Sequence, residues 1–281
     1  MLRVTAIIVL SFYLTTAAAQ TYDHYFFSKI KADSLISKGD YIGAIPYLRV
    51  CISEPAMVTV RDEFNFGYAH FKKDSPDTAV LFMNKALTGG FYFHDVAQFK
   101  YWSDAGVFER FRNYPVLRGL DKMLERNTLA YVNRNIDSTL LNQLLEAREK
   151  DQRIRKDYSK QLPLDIDNQE FLNHFIEQYG WPTNDMVGGN GANAAFLIAQ
   201  HADNDLNFQL ECLGYIRDAY YREQVDPAYY AYIIDRTRVN SKRPQVFGSQ
   251  YDQQIENKLN VDLRRRVFRL ESLEEYLSRR R

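Results

Sequence analysis

Gln200-His201-Ala202-Asp203 closes a segment rich in Ala192, Ala194, Ala195 and Ala199. An imidazole titrates near neutral pH and suits general acid–base work, and a carboxylate beside it can fix which ring nitrogen carries the proton. Two carboxylates are candidates for fixing it. One is Asp203 in the same block, and the other is Asp151 in an earlier block with Gln152 and Arg155. Arg155 and Arg236 are candidates to hold an anionic group or to stabilise developing negative charge. Gln152, Gln200, Gln245 and Gln250 are candidates to orient a polar ligand, and Asp235 stands next to Arg236. This set suits hydrolysis or another acid–base reaction. A structural reading competes with it. His201 can be a satisfied core histidine, and Asp203 or Asp205 a cap for the next helix. The arginines, amides and carboxylates can form a buried network that locks helices together, with or without a small polar or anionic ligand. Convergence on an open cleft favours chemistry, and mutual pairing in a closed core favours structure.

Other chemistries find less support. There is no Gly-x-Ser-x-Gly, and neither Cys51 nor Cys212 has a neighbouring histidine in sequence. Both cysteines sit among apolar residues of expected helices, which predicts buried free thiols rather than a disulfide scaffold. His174 is the only other histidine in the C-terminal half, and no ligand spacing points to a metal. Gly189, Gly191 and Ala194 formally fit a dinucleotide fingerprint, but no strand is expected before them, and a tightly packed helix explains them as well. No cofactor is implied. Lys plus Arg and Asp plus Glu are balanced at 36 each, so no nucleic-acid partner is expected. The late cluster of Arg264, Arg265, Arg266 and Arg269 reads as a solvated helix face.

Helices must position these groups. Leu141, Leu144 and Leu145 define an apolar face that continues at helical spacing into Arg148, Asp151, Gln152 and Arg155. A face that turns polar without turning away lines a cavity or joins a buried network, unless the helix leaves the core there. A second helix over about residues 169–178 stops at Tyr179-Gly180-Trp181-Pro182, with Trp181 as a core anchor. A third spans about Leu206 to Glu223, and Asp226-Pro227 opens a fourth with a cap and a proline in its first turn. Pro244 to Gln250 is too polar and glycine-broken for a helix, which predicts a short strand or hairpin arm near residues 244–251. Asp262 is expected to cap a closing segment in which Leu270, Leu273, Tyr276 and Leu277 face inward. The fold class is all-α, or nearly so with that small hairpin.

Met1 to Arg3, the apolar run Val4 to Leu14 and Ala17-Ala18-Ala19 form an export signal over residues 1–19, with cleavage expected after Ala19. This predicts a periplasmic or extracellular protein, with no membrane association after cleavage. Residues 20–127 read as helical hairpins. Gly39-Asp40 is the expected turn of the first, and Pro46 is expected to loosen the helix after it. Gly67 follows Ala32 by 35 residues, as Ala79 follows Ala44. Gly39, Tyr41, Ala44 and Cys51 fit small or aromatic pattern positions, and the stretch resembles the tetratricopeptide repeat family, whose period is one residue shorter. Phe91, Phe93, Phe99, Trp102, Phe108, Phe111 and Leu117 are the expected core of a third, degenerate pair. The resemblance implies a surface for a protein or peptide partner. A structural role, capping the second domain, is an equal alternative.

The second domain, residues 136–281, carries five ordered blocks: Asp151-Gln152 with Arg155, Gly180-Trp181-Pro182, Gln200 to Asp203, Asp235-Arg236, and Gln245 to Gln250. In that order, over about residues 136–277, they resemble a bacterial domain family of unknown function. Its pattern has Tyr where Phe247 stands and Thr where Ser249 stands. The resemblance implies that the polar blocks form one constellation. It implies no reaction, substrate or cofactor.

Overall fold

Fourteen α-helices and two short 3₁₀ turns make up the computed structural model, which describes residues 18–154, 158–250 and 252–279, with side chains from residue 23 and not for 158–160. The export-signal residues before Ala18 lie outside the described residues. Among those described, no helix is long and apolar enough to cross a membrane. The chain divides into two compact units. One is His24–Asn135; the other is Ile136–Arg281 with the described residues up to Asp23.

The first unit takes α1 (Ala18–Ser37) from His24 onward; α1 and α2 (Tyr41–Ile52) are joined by a turn at Gly39, whose φ is +78°. Asp40 caps α2 by accepting from Gly43 N at 2.8 Å. Pro46 removes one donor but does not end α2, which runs unbroken through it. Helix α3 (Val60–Lys72) starts at a reciprocal cap between Thr59 and Asp62, and α4 (Pro76–Thr88) follows. Gly67 lets these two helices touch: a Cβ there would lie 2.6 Å from Met83 Cγ and 2.8 Å from the Met83 backbone N. Residues 91–125 do not form a third hairpin. Left-handed Gly106 and Gly119, and a 3₁₀ turn at Pro115–Leu117, cut them into α5 (Val96–Asp104), α6 (Val107–Arg112) and α7 (Leu120–Val132). The expected aromatic core is present. Phe64 stacks on Phe91 at 4.1 Å, and Trp102 lies 4.4 Å from Tyr68.

In the second unit, α8 (Ser138–Ile154) packs on α10 (Asn184–His201), and α9 (Tyr158–Tyr179) packs on both. Gly180, at φ +81°, ends α9, and Trp181 is buried beyond it. Helix α11 (Leu206–Tyr221) is capped by Asp205, and α12 (Pro227–Asn240) by Asp226 with Pro227 in its first turn. Helices α13 (Val261–Val267) and α14 (Leu273–Ser278) close the unit. Asp262 accepts from Leu273 N at 2.7 Å, while Ser272 provides the cap of α14. Leu273 and Tyr276 face inward as expected, but Leu277 is exposed.

The fold is all-α: no strand occurs among the described residues. The hairpin arm expected near 244–251 is an irregular loop with one isolated bridge, Gln245 to Ile255. Its N–H groups find acceptors elsewhere, on a buried side chain.

Candidate functional site

The site begins with a close approach of two helices. The backbone breaks at Gly188 (φ +69°), and the rest of α10 presents Gly191, Ala192, Ala194, Ala195 and Ala199 to its neighbours, all buried. A Cβ on Gly191 would lie 3.2 Å from Leu141 Cδ1 of α8. On α8, Leu140, Leu144, Ala147 and Asp151 are the buried positions, so the apolar stripe does turn polar while facing inward. Close packing along the shared length brings Asp151 to the C-terminal end of α10. There its Oδ2 lies 3.1 Å from His201 Nδ1 and accepts from Gln152 Nε2 at 2.8 Å. Gln152 is itself exposed, and serves the carboxylate rather than a cavity. Arg155 lies outside the described residues.

An ionised carboxylate can only accept, so Nδ1 of the neutral imidazole carries the proton and Nε2 the lone pair. The His201 side chain is 21% exposed. Its Nε2 has no protein partner among the described residues.

Asp203 does not play the part its spacing offered. Its carboxylate does not touch the imidazole. Oδ2 accepts from Arg236 Nη1 at 3.2 Å, and Oδ1 accepts from Asn240 Nδ2 at 2.9 Å and Gln209 Nε2 at 3.3 Å. The turn after α10 swings the side chain toward α12, while Asp203 N donates to His201 O. Arg236 is gripped from a second side. One end of the Gln200 amide faces only donors, so its oxygen sits there. It accepts from Arg236 Nε at 3.0 Å, Arg236 Nη2 at 3.3 Å and Gln250 Nε2 at 3.2 Å.

Asp235 and Gln245 do not reach a cavity; they build the wall behind it. The Asp235 carboxylate is fully buried and accepts from the backbone N–H of Val246 (2.6 Å), Phe247 (3.0 Å) and Ser249 (2.9 Å). Burial pushes its pKa up, against the pull of those hydrogen bonds. Donors that a strand would give to a partner strand thus go to one carboxylate, which is why no hairpin forms. Gln245 staples the same loop, donating to Gln250 O and Gln253 O and accepting from Gln250 N.

The loop carbonyls are also held. Arg264 Nε donates to Val246 O at 2.8 Å, and Arg265 Nη1 to Phe247 O at 2.7 Å. The solvated-face expectation therefore fails for these two arginines. Both are buried, because main-chain carbonyls offer a guanidinium the acceptors that water otherwise would. Arg266 and Arg269 are exposed.

The result is an open cavity of about 370 Å³. Its lining is polar at His201, Gln200, Arg236, Ser249 and Gln250, and apolar or aromatic at Phe196, Leu197 and Tyr232. Ser249 Oγ accepts from Gln250 Nε2 at 3.1 Å. Among the described residues, no group of acidic, histidine and cysteine side chains is arranged to hold a metal ion. Both cysteines are free and buried, as expected, and burial pushes both thiols well up.

A family of unknown function (DUF6624) matches residues 124–280, more than half of the chain. The chain belongs to that family. No curated protein and no solved structure matches it. Membership in DUF6624 brings no assigned activity, so the cavity's chemistry rests on its geometry. The DUF6624 match takes in all of the cavity's lining residues. Of these, sequence reasoning missed Tyr232, Phe196 and Leu197 as site residues, and reached Ser249 only through the resemblance. A signal was present. Phe196, Leu197 and Tyr232 stand four residues before Gln200, His201 and Arg236, and so share their helix faces.

Proposed function

We propose that this protein is an exported, cofactor-independent acid–base enzyme of the hydrolase type, with His201 as the general base. One observation carries this reading: His201 gives Nδ1 to buried Asp151 while Nε2, with no partner among the described residues, stands at an open cavity. In such an arrangement Nε2 takes a proton from a water molecule as its oxygen attacks an electrophilic centre. The imidazolium formed is stabilised by Asp151 and returns the proton to the leaving group. Arg236 supplies positive charge in the same cavity. The export reading rests on the residue pattern before Gln20. We assign the N-terminal helical hairpins, which resemble tetratricopeptide repeats, a docking or capping role.

The decisive experiment is a long-range proton–nitrogen correlation spectrum of histidine-labelled protein at neutral pH, paired with turnover assays. The assays compare wild type and His201→Gln on esters, amides and phosphoesters. The reading requires the Nδ1–H tautomer at His201, and turnover that His201→Gln abolishes. An Nε2–H tautomer, or turnover indifferent to the substitution, sinks it.

A non-catalytic binding module is the second reading. It is favoured by the continuous pairing from Asn240 through Asp203, Arg236 and Gln200 to Gln250. Ligand binding that survives His201→Gln, with no turnover in either form, would establish it.

A further inference from the structure

We infer that the cavity beside His201 takes a ligand bearing an oxyanion group, a carboxylate or a phosphate, on the terminal nitrogens of Arg236, with an apolar or aromatic body against Phe196 and Tyr232. This deepens the reading of the cavity as a ligand site but does not require that His201 perform chemistry.

Arg236 carries five N–H donors in a planar fork. Nε and one Nη2 hydrogen go to Gln200 Oε1, and one Nη1 hydrogen goes to Asp203 Oδ2. One N–H on each terminal nitrogen is left, with no acceptor among the described residues. Two donors on adjacent nitrogens match the spacing at which carboxylate and phosphate oxygens accept in parallel. The fork is held before any ligand arrives. Gln200 is buried, and Asp203 is fixed in turn by Asn240 and Gln209. Little rotamer freedom therefore remains to be lost on binding.

The charge of Arg236 is not consumed by its partner. The Asp203 side chain is 53% exposed, so water screens that ion pair, while the Arg236 side chain is 26% exposed and lines the cavity. A second acidic neighbour, Asp151, is buried behind the imidazole and bonded to it. Among the described residues, no carboxylate lines the cavity itself. The Phe196 and Tyr232 rings, 6.2 Å apart and tilted at 58°, line the same cavity, and Leu197 adds aliphatic surface, which suits a ring or short chain. A volume of about 370 Å³ holds a body of that size.

The test uses the unaltered chain and three probes of one shape: benzoate, phenyl phosphate and the uncharged benzamide. Binding is followed by calorimetry and by the His201 ring resonances. We expect at least one of the two anions to shift those resonances and to bind at least about tenfold more tightly than benzamide, with affinity falling as salt is added. The stronger of the two anions names the source of the group. Arg236→Gln should weaken anion binding about tenfold or more without changing the His201 tautomer. The inference is overturned if benzamide binds as well as benzoate and phenyl phosphate, or if neither anion perturbs His201. The comparison of charged and uncharged probes needs no variant, so a misfolded Arg236→Gln cannot rescue the idea. Anion binding together with an Nε2–H tautomer would uphold the ligand class and remove the acid–base reading. The opposite pair of results would do the reverse.

Discussion

Replacing Asp235 by asparagine should be the most damaging single-atom exchange in the C-terminal unit. The carboxylate is fully buried and accepts three backbone N–H bonds, at 2.6, 2.9 and 3.0 Å. An asparagine keeps one oxygen and turns an NH₂ group toward donors. At least one N–H of Val246, Phe247 or Ser249 then loses its acceptor, at a cost of about 1–3 kcal/mol for each buried group left unpaired. The substitution also removes the negative charge behind a loop whose carbonyls bind Arg264 and Arg265, both buried. Hydrogen bonds to an ionised acceptor are worth about 1.5–3 kcal/mol each, so losing one and weakening the other two costs about 3–5 kcal/mol in total. We expect a loss in that range, which is large against the roughly 5–15 kcal/mol that holds an ordinary domain together. Urea unfolding followed by circular dichroism reads it directly, as a midpoint lowered by roughly 2 M. Asp203→Asn is the control, since its ion pair with Arg236 is exposed and should be worth no more than about 1 kcal/mol. A loss below about 1 kcal/mol for Asp235→Asn would refute the view that this carboxylate organises the loop.

Three further outcomes are expected. His70 is buried against Phe66, with no hydrogen-bond partner at either ring nitrogen among the described residues, and burial, then Lys73 and Arg49, lowers its pKa. The unfolded chain therefore binds the proton first as pH falls below about 6.5, and stability drops from there by up to about 1.4 kcal/mol per pH unit. Urea midpoints at pH 7 and pH 5 should show that slope in wild type and a flatter one in His70→Phe; equal slopes would contradict it. Gly67→Ala should destabilise by about 1–3 kcal/mol, because the added methyl meets the Met83 backbone of α4 at 2.8 Å, and an unchanged melting temperature would show that the helices are not in close contact. Cys51 and Cys212 should ignore a thiol reagent in the native protein and both react in denaturant, which a colorimetric thiol count tests.

The helices of the C-terminal unit are legible in the sequence because their ends carry local chemistry. Asp226-Pro227 opens α12 and Gly180 closes α9 through interactions within a few residues. The inward course of Asp151 is legible for a related reason: a helix keeps its face, so the leucine stripe predicts where the aspartate points. Its pairing with His201, fifty residues away, is open in the sequence, since Asp203 offers the same chemistry at shorter range. Geometry decides for Asp151 because the turn after α10 sends Asp203 toward α12. The loop at 245–250 reads as a hairpin arm because it is too polar and glycine-broken for a helix, and its backbone N–H groups need partners. Nothing in a sequence says that one carboxylate will collect three of them. Arg264 and Arg265 read as solvated for the complementary reason: their acceptors are carbonyls of a loop whose path no local pattern reveals.

Asp235, Arg264 and Arg265 grip that loop chiefly through its main chain, which every amino acid shares. Among the described residues, the side chain of Gln250 is held only through its Nε2, by Gln200 Oε1 and Ser249 Oγ, and that of Ser249 plays a secondary part through its hydroxyl. Exchanging these two residues should re-letter the rim of the cavity while its scaffold stands. An engineer could vary both positions as a small library on a fixed frame, and selection could retune the ligand without having to rebuild the fold beneath it.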